Sequence, residues 1–381
     1  MLSNLSKKKI IFVSATRADF GKLKSIITTL QKNHKFKVYV FVTGMHLLKE
    51  YGMTWHELEY SKIKNIIKFK NQNYSSKEDD IFSKTINGFS ACLKKVKPNL
   101  VVVHGDRIEA LATTITAFLN NTLLAHIEGG EVSGTKDEVI RHSISKLANV
   151  HFVSNDEAIK RLIQLGENKQ SIFKIGSPEI DIFNSNHLPT LDETRLKYSI
   201  SFKNYALLIF HPVTDEIKSL KAGTRALINA LKKTKKNYVI IHPNNDPGSK
   251  IILNEYKKCF SYKHFRFFPS MRFEYYITLL KNSDFIIGNS SSGVREAPSV
   301  GVKTINIGTR QFRRSKANTI INCRLEEKSI LSSINSLNRI LSKKDNFFGK
   351  GKANIKFEKI IEKSTFWKNL KLKKFIDIKI N

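Results

Sequence analysis

Cysteine is scarce in this sequence: only Cys92, Cys259 and Cys323 occur among 381 residues. They sit too far apart for a zinc cluster and leave one thiol unpaired in any disulfide scheme, so a reducing cytoplasm is the expected setting. Long apolar runs are absent as well. After Lys7, Lys8 and Lys9 the apolar stretch is only Ile10 to Val13, too short for a signal segment. No run approaches the ~18 residues that a membrane helix needs, so a soluble chain with no membrane partner is expected. Acidic residues are few, 33 Asp and Glu against 65 Lys and Arg, a formal net charge of +32. That excess invites a nucleic-acid partner, because clustered cations neutralise phosphates. Yet only 14 of the basic residues are Arg, and the 51 Lys are scattered along the whole chain. This is the pattern of solvated helix faces, and no specific nucleic acid is expected.

What is present is enough for a folded protein of two to three domains. The chain is 41% hydrophobic and 10% aromatic, which excludes intrinsic disorder. Short continuous apolar runs alternate with helical periodicity, the pattern of parallel sheets covered on both faces. In the first half the strand-like runs are Ile10 to Val13, Val38 to Val42, Leu100 to Val103, Leu123 to Ile127, His151 to Val153 and Ile172 to Ile175. A second series follows: Tyr205 to Phe210, Tyr238 to Ile241, Phe265 to Phe268, Phe285 to Ile287 and Thr304 to Ile307. Two βα series predict two Rossmann-like domains, over residues 1–180 and 200–350, facing across a cleft. The join is expected near Ser177 to Lys203, where Pro178, Asn184, Asn186 and Pro189 break the periodicity. Gly349 to Ala353 reads as a loop and Phe357 to Leu370 as a last amphipathic helix in a tail over 351–381.

In an open parallel sheet, ligands bind beyond the carboxyl ends of the strands. Those ends are unusually polar here: Ser14 to Lys22, Thr43 to His46, His104 to Arg107 and His126 to Glu131. The second half repeats this at His211-Pro212, His242 to Asp246, Gly288 to Gly293 and Gly308 to Arg310. Three carboxylates, Asp106, Glu128 and Asp137, converge from two strand ends and one helix. Crowded carboxylates can split into an acid and a base, as proton abstraction from a poorly activated carbon requires. Asp137 and Arg141 stand at i and i+4, spacing that also suits a helical ion pair. Small residues at Gly288 to Gly293, before a helix opening near Val294 and with Arg310, Arg313 and Arg314 following, suit a diphosphate. No Walker loop occurs, and no Gly-x-Gly-x-x-Gly follows the first strand. No His-Glu-x-x-His or close ligand pair occurs either, so His104, His126, His211 and His242 read as hydrogen-bonding or acid/base groups and no metal is expected.

These segments, in order, resemble the hydrolysing UDP-N-acetylglucosamine 2-epimerases of bacterial sialic-acid biosynthesis. The resemblance runs from Ile10 to about Arg313. It includes Thr16-Arg17-Ala18-Asp19-Phe20-Gly21-Lys22, His104-Gly105-Asp106-Arg107, His126-Ile127-Glu128-Gly129-Gly130-Glu131, Arg141-His142-Ser143-Ile144-Ser145-Lys146 and Arg295-Glu296-Ala297-Pro298. It implies a GT-B-like α/β fold whose final helix returns to the first domain. It also implies a two-step reaction without metal or nicotinamide, hence no cofactor. UDP leaves carbon 1 as the carbon 2 proton is removed; water then adds to the glycal, giving N-acetylmannosamine. By position, Asp106, Glu128, Asp137 and His211 match catalytic residues. Arg17, Lys22, His46, Arg107, Arg141, Asn245, Ser290, Ser291, Ser292, Glu296 and Arg310 match substrate-binding positions, Glu296 on the ribose hydroxyls. The resemblance implies a homodimer or homotetramer. A close alternative acts on UDP-N,N'-diacetylbacillosamine in legionaminic-acid synthesis. A different alternative is a basic nucleic-acid-binding protein with a vestigial cleft, against which the intact carboxylates argue.

Overall fold

Every apolar run read as a strand sits in one of two parallel sheets. The computed structural model describes residues 7–133, 135–183, 188–213, 216–244, 246–311, 313–368, 373–374 and 376–377. The chain forms two compact units: Met1–Glu131 with Lys136–Asn184 and Gly349–Asn381, and Val132–Thr135 with Ser185–Phe348.

The first unit holds β1 (Lys8–Ser14), β2 (Phe36–Val42), β3 (Ile66–Lys68), β4 (Leu100–His104), β5 (Leu124–Ile127), β6 (Val150–Val153) and β7 (Ile172–Lys174) in the order β3-β2-β1-β4-β5-β6-β7. The second holds β8 (Ala206–Ile209), β9 (Tyr238–Ile241), β10 (Phe265–Phe268), β11 (Ile286–Gly288), β12 (Thr304–Ile307) and β13 (Ile320–Cys323) in the order β10-β9-β8-β11-β12-β13. In both orders the chain runs outward over the unit's first three strands and then returns to the other side of the first, the doubly wound plan. The inner strands are fully buried because helices cover both faces, which is why they read as unbroken apolar runs rather than alternations. β3 and β13 were not apparent from the sequence. They are short edge strands whose residues are half-buried or exposed, so they carry no apolar run.

The last helix differs from its expected form. Helix Ala353–Ile361 starts earlier, and a second helix, Ser364–Lys368, follows a turn. The backbone N–H groups of Ala353 and Asn354 donate to the Asp181 carboxylate at 2.8 and 2.9 Å, an anion at the helix start. The break turns Phe366 onto Phe152 and Phe173, with ring centroids 6.4 Å away in each case, while Phe357 packs at a tilt with its centroid 4.3 Å from that of Phe152. A continuous helix was expected because its apolar spacing was read without this aromatic docking site. Among the described residues no helix is long and apolar enough to cross a membrane.

Candidate active site

The polarity at the strand ends becomes a network at the switch point of the first unit, where β1 lies beside β4. Helix Arg17–Lys32 begins with a reciprocal capping box: Thr16 Oγ1 accepts from the Asp19 N–H, and the Asp19 carboxylate accepts from the Thr16 N–H at 3.1 Å. This fixes Asp19 with its other oxygen 3.4 Å from His104 Nδ1. His104 ends β4, and its Nε2 lies 3.0 Å from Glu128 Oε2. Glu128 follows β5 in a left-handed conformation, φ +67°, that a non-glycine residue seldom adopts. Its N–H is anchored to the Phe152 carbonyl at 3.0 Å, and Ser177 Oγ donates to Glu128 Oε1 at 2.6 Å. Lys22 Nζ stands 3.5 Å from Glu128 Oε2 and 3.1 Å from the buried Glu179. Burial opposes charge on His104, but Glu128 and Asp19 outweigh it and raise its pKa. Asp19 answers in the same sense: burial pushes it up, the His104 contacts pull harder, and it falls to about 2.

Asp106 sits two residues beyond β4 and is held differently. Arg141, buried to 1% exposure on helix Asp137–Leu147, directs Nη2 to Asp106 Oδ2 and Nη1 to the Glu131 carbonyl at 3.1 Å. The sequence spacing places Asp137 beside Arg141; the guanidinium also reaches across to the end of β4. Asp137 occupies the first turn of that helix and is half-buried. His126 fixes the approach to Asp106, its ring lying 2.8 Å from the Gly105 carbonyl and 2.9 Å from Ser145 Oγ. A carbonyl only accepts, so Nε2 carries the proton and Nδ1 receives the Ser145 hydroxyl. Burial drops the His126 pKa to about 3.

His46 is fully buried, with Nε2 2.9 Å from Ser14 Oγ and Nδ1 2.8 Å from Thr54 Oγ1. Both ring nitrogens are therefore engaged by the protein, and burial lowers its pKa to about 4. Arg17 pairs with Glu57 at 2.6 Å, and Arg107 with Glu109 at 3.3 Å. The buried neutral histidines have a measurable consequence. Below the ordinary histidine pKa of ~6.5, the unfolded chain binds protons that His46 and His126 refuse while folded, so stability falls with falling pH. At about 1.4 kcal/mol per pH unit each, the loss between pH ~6.5 and ~4 amounts to several kcal/mol. Urea midpoints should drop clearly between pH 7 and pH 4.5; equal midpoints would contradict the buried neutral state.

The second unit builds its own switch point, between β8 and β11. Gly288 lies at φ +131°, and a Cβ there would stand 2.0 Å from the Ile209 carbonyl oxygen. The missing side chain thus serves close strand approach, not only an open loop. The next residue, Asn289, pairs reciprocally with the His211 backbone: its Oδ1 accepts at 2.7 Å and its Nδ2 donates at 2.8 Å. Arg310 Nη1 and Gln311 Nε2 both donate to the Asn289 carbonyl, at 3.3 and 3.1 Å. The Asn244 N–H donates to His211 Nδ1 at 3.2 Å. The proton of this neutral ring is therefore on Nε2, and burial, helped by Arg310, holds its pKa well below the usual value. Ser290 caps the short helix Ser291–Val294, and a second short helix, Glu296–Val300, follows. The single helix expected to open near Val294 is broken at Arg295, whose buried guanidinium lies 4.4 Å over the Phe348 ring. Ser292 bonds the Tyr276 hydroxyl, and Glu296 is 4% exposed. Arg310 Nη2 also approaches Asp246 at 3.7 Å.

Of the residues singled out by sequence, the first unit brings Lys22 and Glu128 together, and Asp106 with Arg141. The second gathers His211 and Arg310 around Asn289. Asn245 lies outside the described residues. Sequence reasoning does not single out Asp19, Ser177, Glu179, Asn244 or Asn289 as site residues. Asp19 was within reach of sequence reasoning, through the Thr16-x-x-Asp19 capping pattern; the others depend on contacts between distant segments. Among the described residues no group of three or more His, Cys, Asp or Glu is placed to hold a metal ion.

Comparison with known proteins follows the same lines. A UDP-N-acetylglucosamine 2-epimerase family model matches residues 28–362. A UDP-N-acetylglucosamine 2-epimerase from Neisseria meningitidis serogroup B is 39% identical over 379 residues, covering 98% of this chain and all of that protein. A polysialic acid biosynthesis protein P7 from Escherichia coli is 36% identical, covering 97% of this chain and 98% of that protein. A hydrolysing UDP-N,N'-diacetylbacillosamine 2-epimerase from Legionella pneumophila is 33% identical, covering 91% and 93%. The crystal structure of UDP-GlcNAc 2-epimerase from Neisseria meningitidis bound to UDP-GlcNAc superposes with a TM-score of 0.81 at 20% identity, covering 93% of this chain and all of that one. That likeness shows a shared α/β fold of two parallel sheets.

Proposed function

The chain belongs to the UDP-N-acetylglucosamine 2-epimerase family, and on that premise we propose that it is the hydrolysing enzyme, converting UDP-N-acetylglucosamine and water to N-acetylmannosamine and UDP. The observation that carries this reading is the Glu128 network. A carboxylate that accepts from Ser177 and is flanked by Lys22 and His104 is held in one orientation, with only 3% of Glu128 exposed. It is ready to take a proton from a carbon that a neighbouring leaving group activates only weakly. Asp106, oriented by Arg141, and Asp137 supply the remaining acid/base positions.

In the first step the carbon 2 proton passes to a carboxylate, its bonding electrons form the carbon 1–carbon 2 double bond, and the carbon 1–oxygen pair leaves with UDP. In the second, water adds its oxygen to carbon 1 and gives up one proton to an ionised enzyme carboxylate, while a protonated enzyme group returns hydrogen to carbon 2 from the opposite face. The departing diphosphate needs preorganised donors. His211 offers its Nε2–H, with Arg310, Ser290, Ser291 and Ser292, while Glu296 takes the ribose hydroxyls. Arg17, Lys22, Arg107 and Arg141 provide further cations, and His46 acts as a positioning residue behind Ser14. The same reading carries a cytoplasmic enzyme assembled as a homodimer or homotetramer, which sedimentation equilibrium of the purified chain tests.

Incubation with UDP-N-acetylglucosamine in deuterium oxide, without added metal or NAD, should yield equal amounts of UDP and N-acetylmannosamine carrying deuterium at carbon 2. Unlabelled free N-acetylglucosamine would mean simple hydrolysis and would overturn the reading. The Legionella relative supports a second substrate, UDP-N,N'-diacetylbacillosamine. The greater identity to the Neisseria protein favours the first, and kcat/KM for the two substrates decides between them.

A further inference from the structure

Among the described residues of the first unit, the His104 imidazole has a carboxylate near each ring nitrogen: Asp19 Oδ1 at 3.4 Å from Nδ1 and Glu128 Oε2 at 3.0 Å from Nε2. An ionised carboxylate can only accept hydrogen bonds, and a neutral imidazole has only one N–H. The two contacts are ion-pair approaches without hydrogen-bond alignment, so a neutral His104 would lose its attraction to both anions. Both contacts are favourable only when both nitrogens carry protons.

The three residues come from three elements, namely helix Arg17–Lys32, the end of β4 and the turn after β5, and they meet because the strand order sets β1 against β4 and β4 against β5. We propose that Asp19 and His104 are positioning residues for Glu128, a line in which Asp19 orients the imidazole and the imidazole orients the carboxylate that works on the substrate. The inference deepens the epimerase reading and rests on it for its kinetic consequence. The other charged groups around His104 fit the same arrangement. Lys22, from the same helix as Asp19, shares Glu128 and is neutralised in part by Glu179. Arg107 favours the ionised form of Asp19, and neighbouring His126 is neutral, adding no competing charge. The raised His104 pKa and lowered Asp19 pKa agree with an imidazolium between two carboxylates.

The arrangement predicts a direction. Loss of the His104 proton at high pH removes the charge that draws Glu128 and Asp19 to the ring and releases the carboxylate from its set position. kcat/KM should thus fall on an alkaline limb governed by His104. Replacing Asp19 by Asn keeps shape and capping oxygen but removes one of the two charges that hold the proton, so this limb should move to lower pH by roughly 1–3 pH units. His104→Gln should lower kcat at least tenfold, leave KM within about twofold and abolish that limb.

Two measurements on the full-length protein test the proposal. The first is the nitrogen-15 spectrum of the imidazoles at pH 7.5 without substrate, with His104 assigned by its loss in His104→Gln. Signals of two protonated nitrogens that revert to a neutral ring in Asp19→Asn are expected; a neutral His104 in the wild-type protein overturns the proposal. The second is the pH dependence of kcat/KM in wild type and Asp19→Asn. An Asp19→Asn profile that superposes on the wild type after uniform scaling would indicate a purely structural role and also overturns it. If wild type fails to release UDP and N-acetylmannosamine, the epimerase reading falls while the nitrogen spectrum still decides whether the Asp19–His104–Glu128 line exists.

Discussion

Glu128→Gln should lower kcat by roughly 10²–10⁴-fold with little change in KM, the loss expected when a positioned acid or base is removed. The substitution is nearly isosteric. The amide oxygen can still accept from Ser177 Oγ, and the left-handed backbone at Glu128 is unchanged, so the fold should persist. What disappears is a charge that Lys22 and His104 were arranged to stabilise, and with it the capacity to take a proton. On the proposed reading, in which the second unit's residues hold the nucleotide end of the substrate, ground-state binding should survive and the deficit should fall on kcat and kcat/KM alike. Steady-state kinetics together with thermal unfolding separate this from misfolding. Near-normal turnover would remove Glu128 from the chemistry and, with it, the reason for the Asp19–His104 line.

The largest effect on stability is expected at Gly288, for a reason unrelated to charge. An added Cβ would lie 2.0 Å from the Ile209 carbonyl oxygen and 2.7 Å from its carbon, both backbone atoms. β8 and β11 are buried neighbours in the middle of the sheet, so neither can retreat without breaking the ladder between them. The φ of +131° adds conformational strain for any residue with a side chain. Gly288→Ala should therefore cost more than about 4 kcal/mol, in the range reserved for severe steric or backbone conflicts, and lower the melting temperature by roughly 10 °C or more or give insoluble protein. Gly52→Ala is the control. Gly52 is also left-handed, at φ +82°, but no atom lies within 4 Å of its added Cβ. Strain alone should cost about 1 kcal/mol there. Comparable melting temperatures for the two variants would refute the clash.

Much of this was legible along the chain. A central parallel strand is buried on both faces, so Leu100 to Val103 or Ala206 to Ile209 must be apolar at every position, and such runs announce themselves. Ligands to such sheets gather at the carboxyl ends, so the residues after each run, Asp106, Glu128 and His211 among them, could be marked before any coordinates. Edge strands are less legible because one side meets solvent: Ile172–Lys174 and Phe265–Phe268 still show as apolar runs, but the short Ile66–Lys68, with no fully buried residue, does not. The partners within the site also escape it. Local spacing can pair Asp137 with Arg141, since four residues make one helical turn, but it cannot know that Arg141 will reach Asp106, 35 residues away. His46 looks like any strand-end histidine until burial shows both its nitrogens bonded to Ser14 and Thr54. The sequence by itself determined the two βα series, the polar strand ends and the family. Only the tertiary structure decided that Asp19, His104 and Glu128 form one line, because that line depends on the strand order laying β1 against β4 and β4 against β5, and on burial that sets the imidazole between the two carboxylates, with Lys22 sharing Glu128.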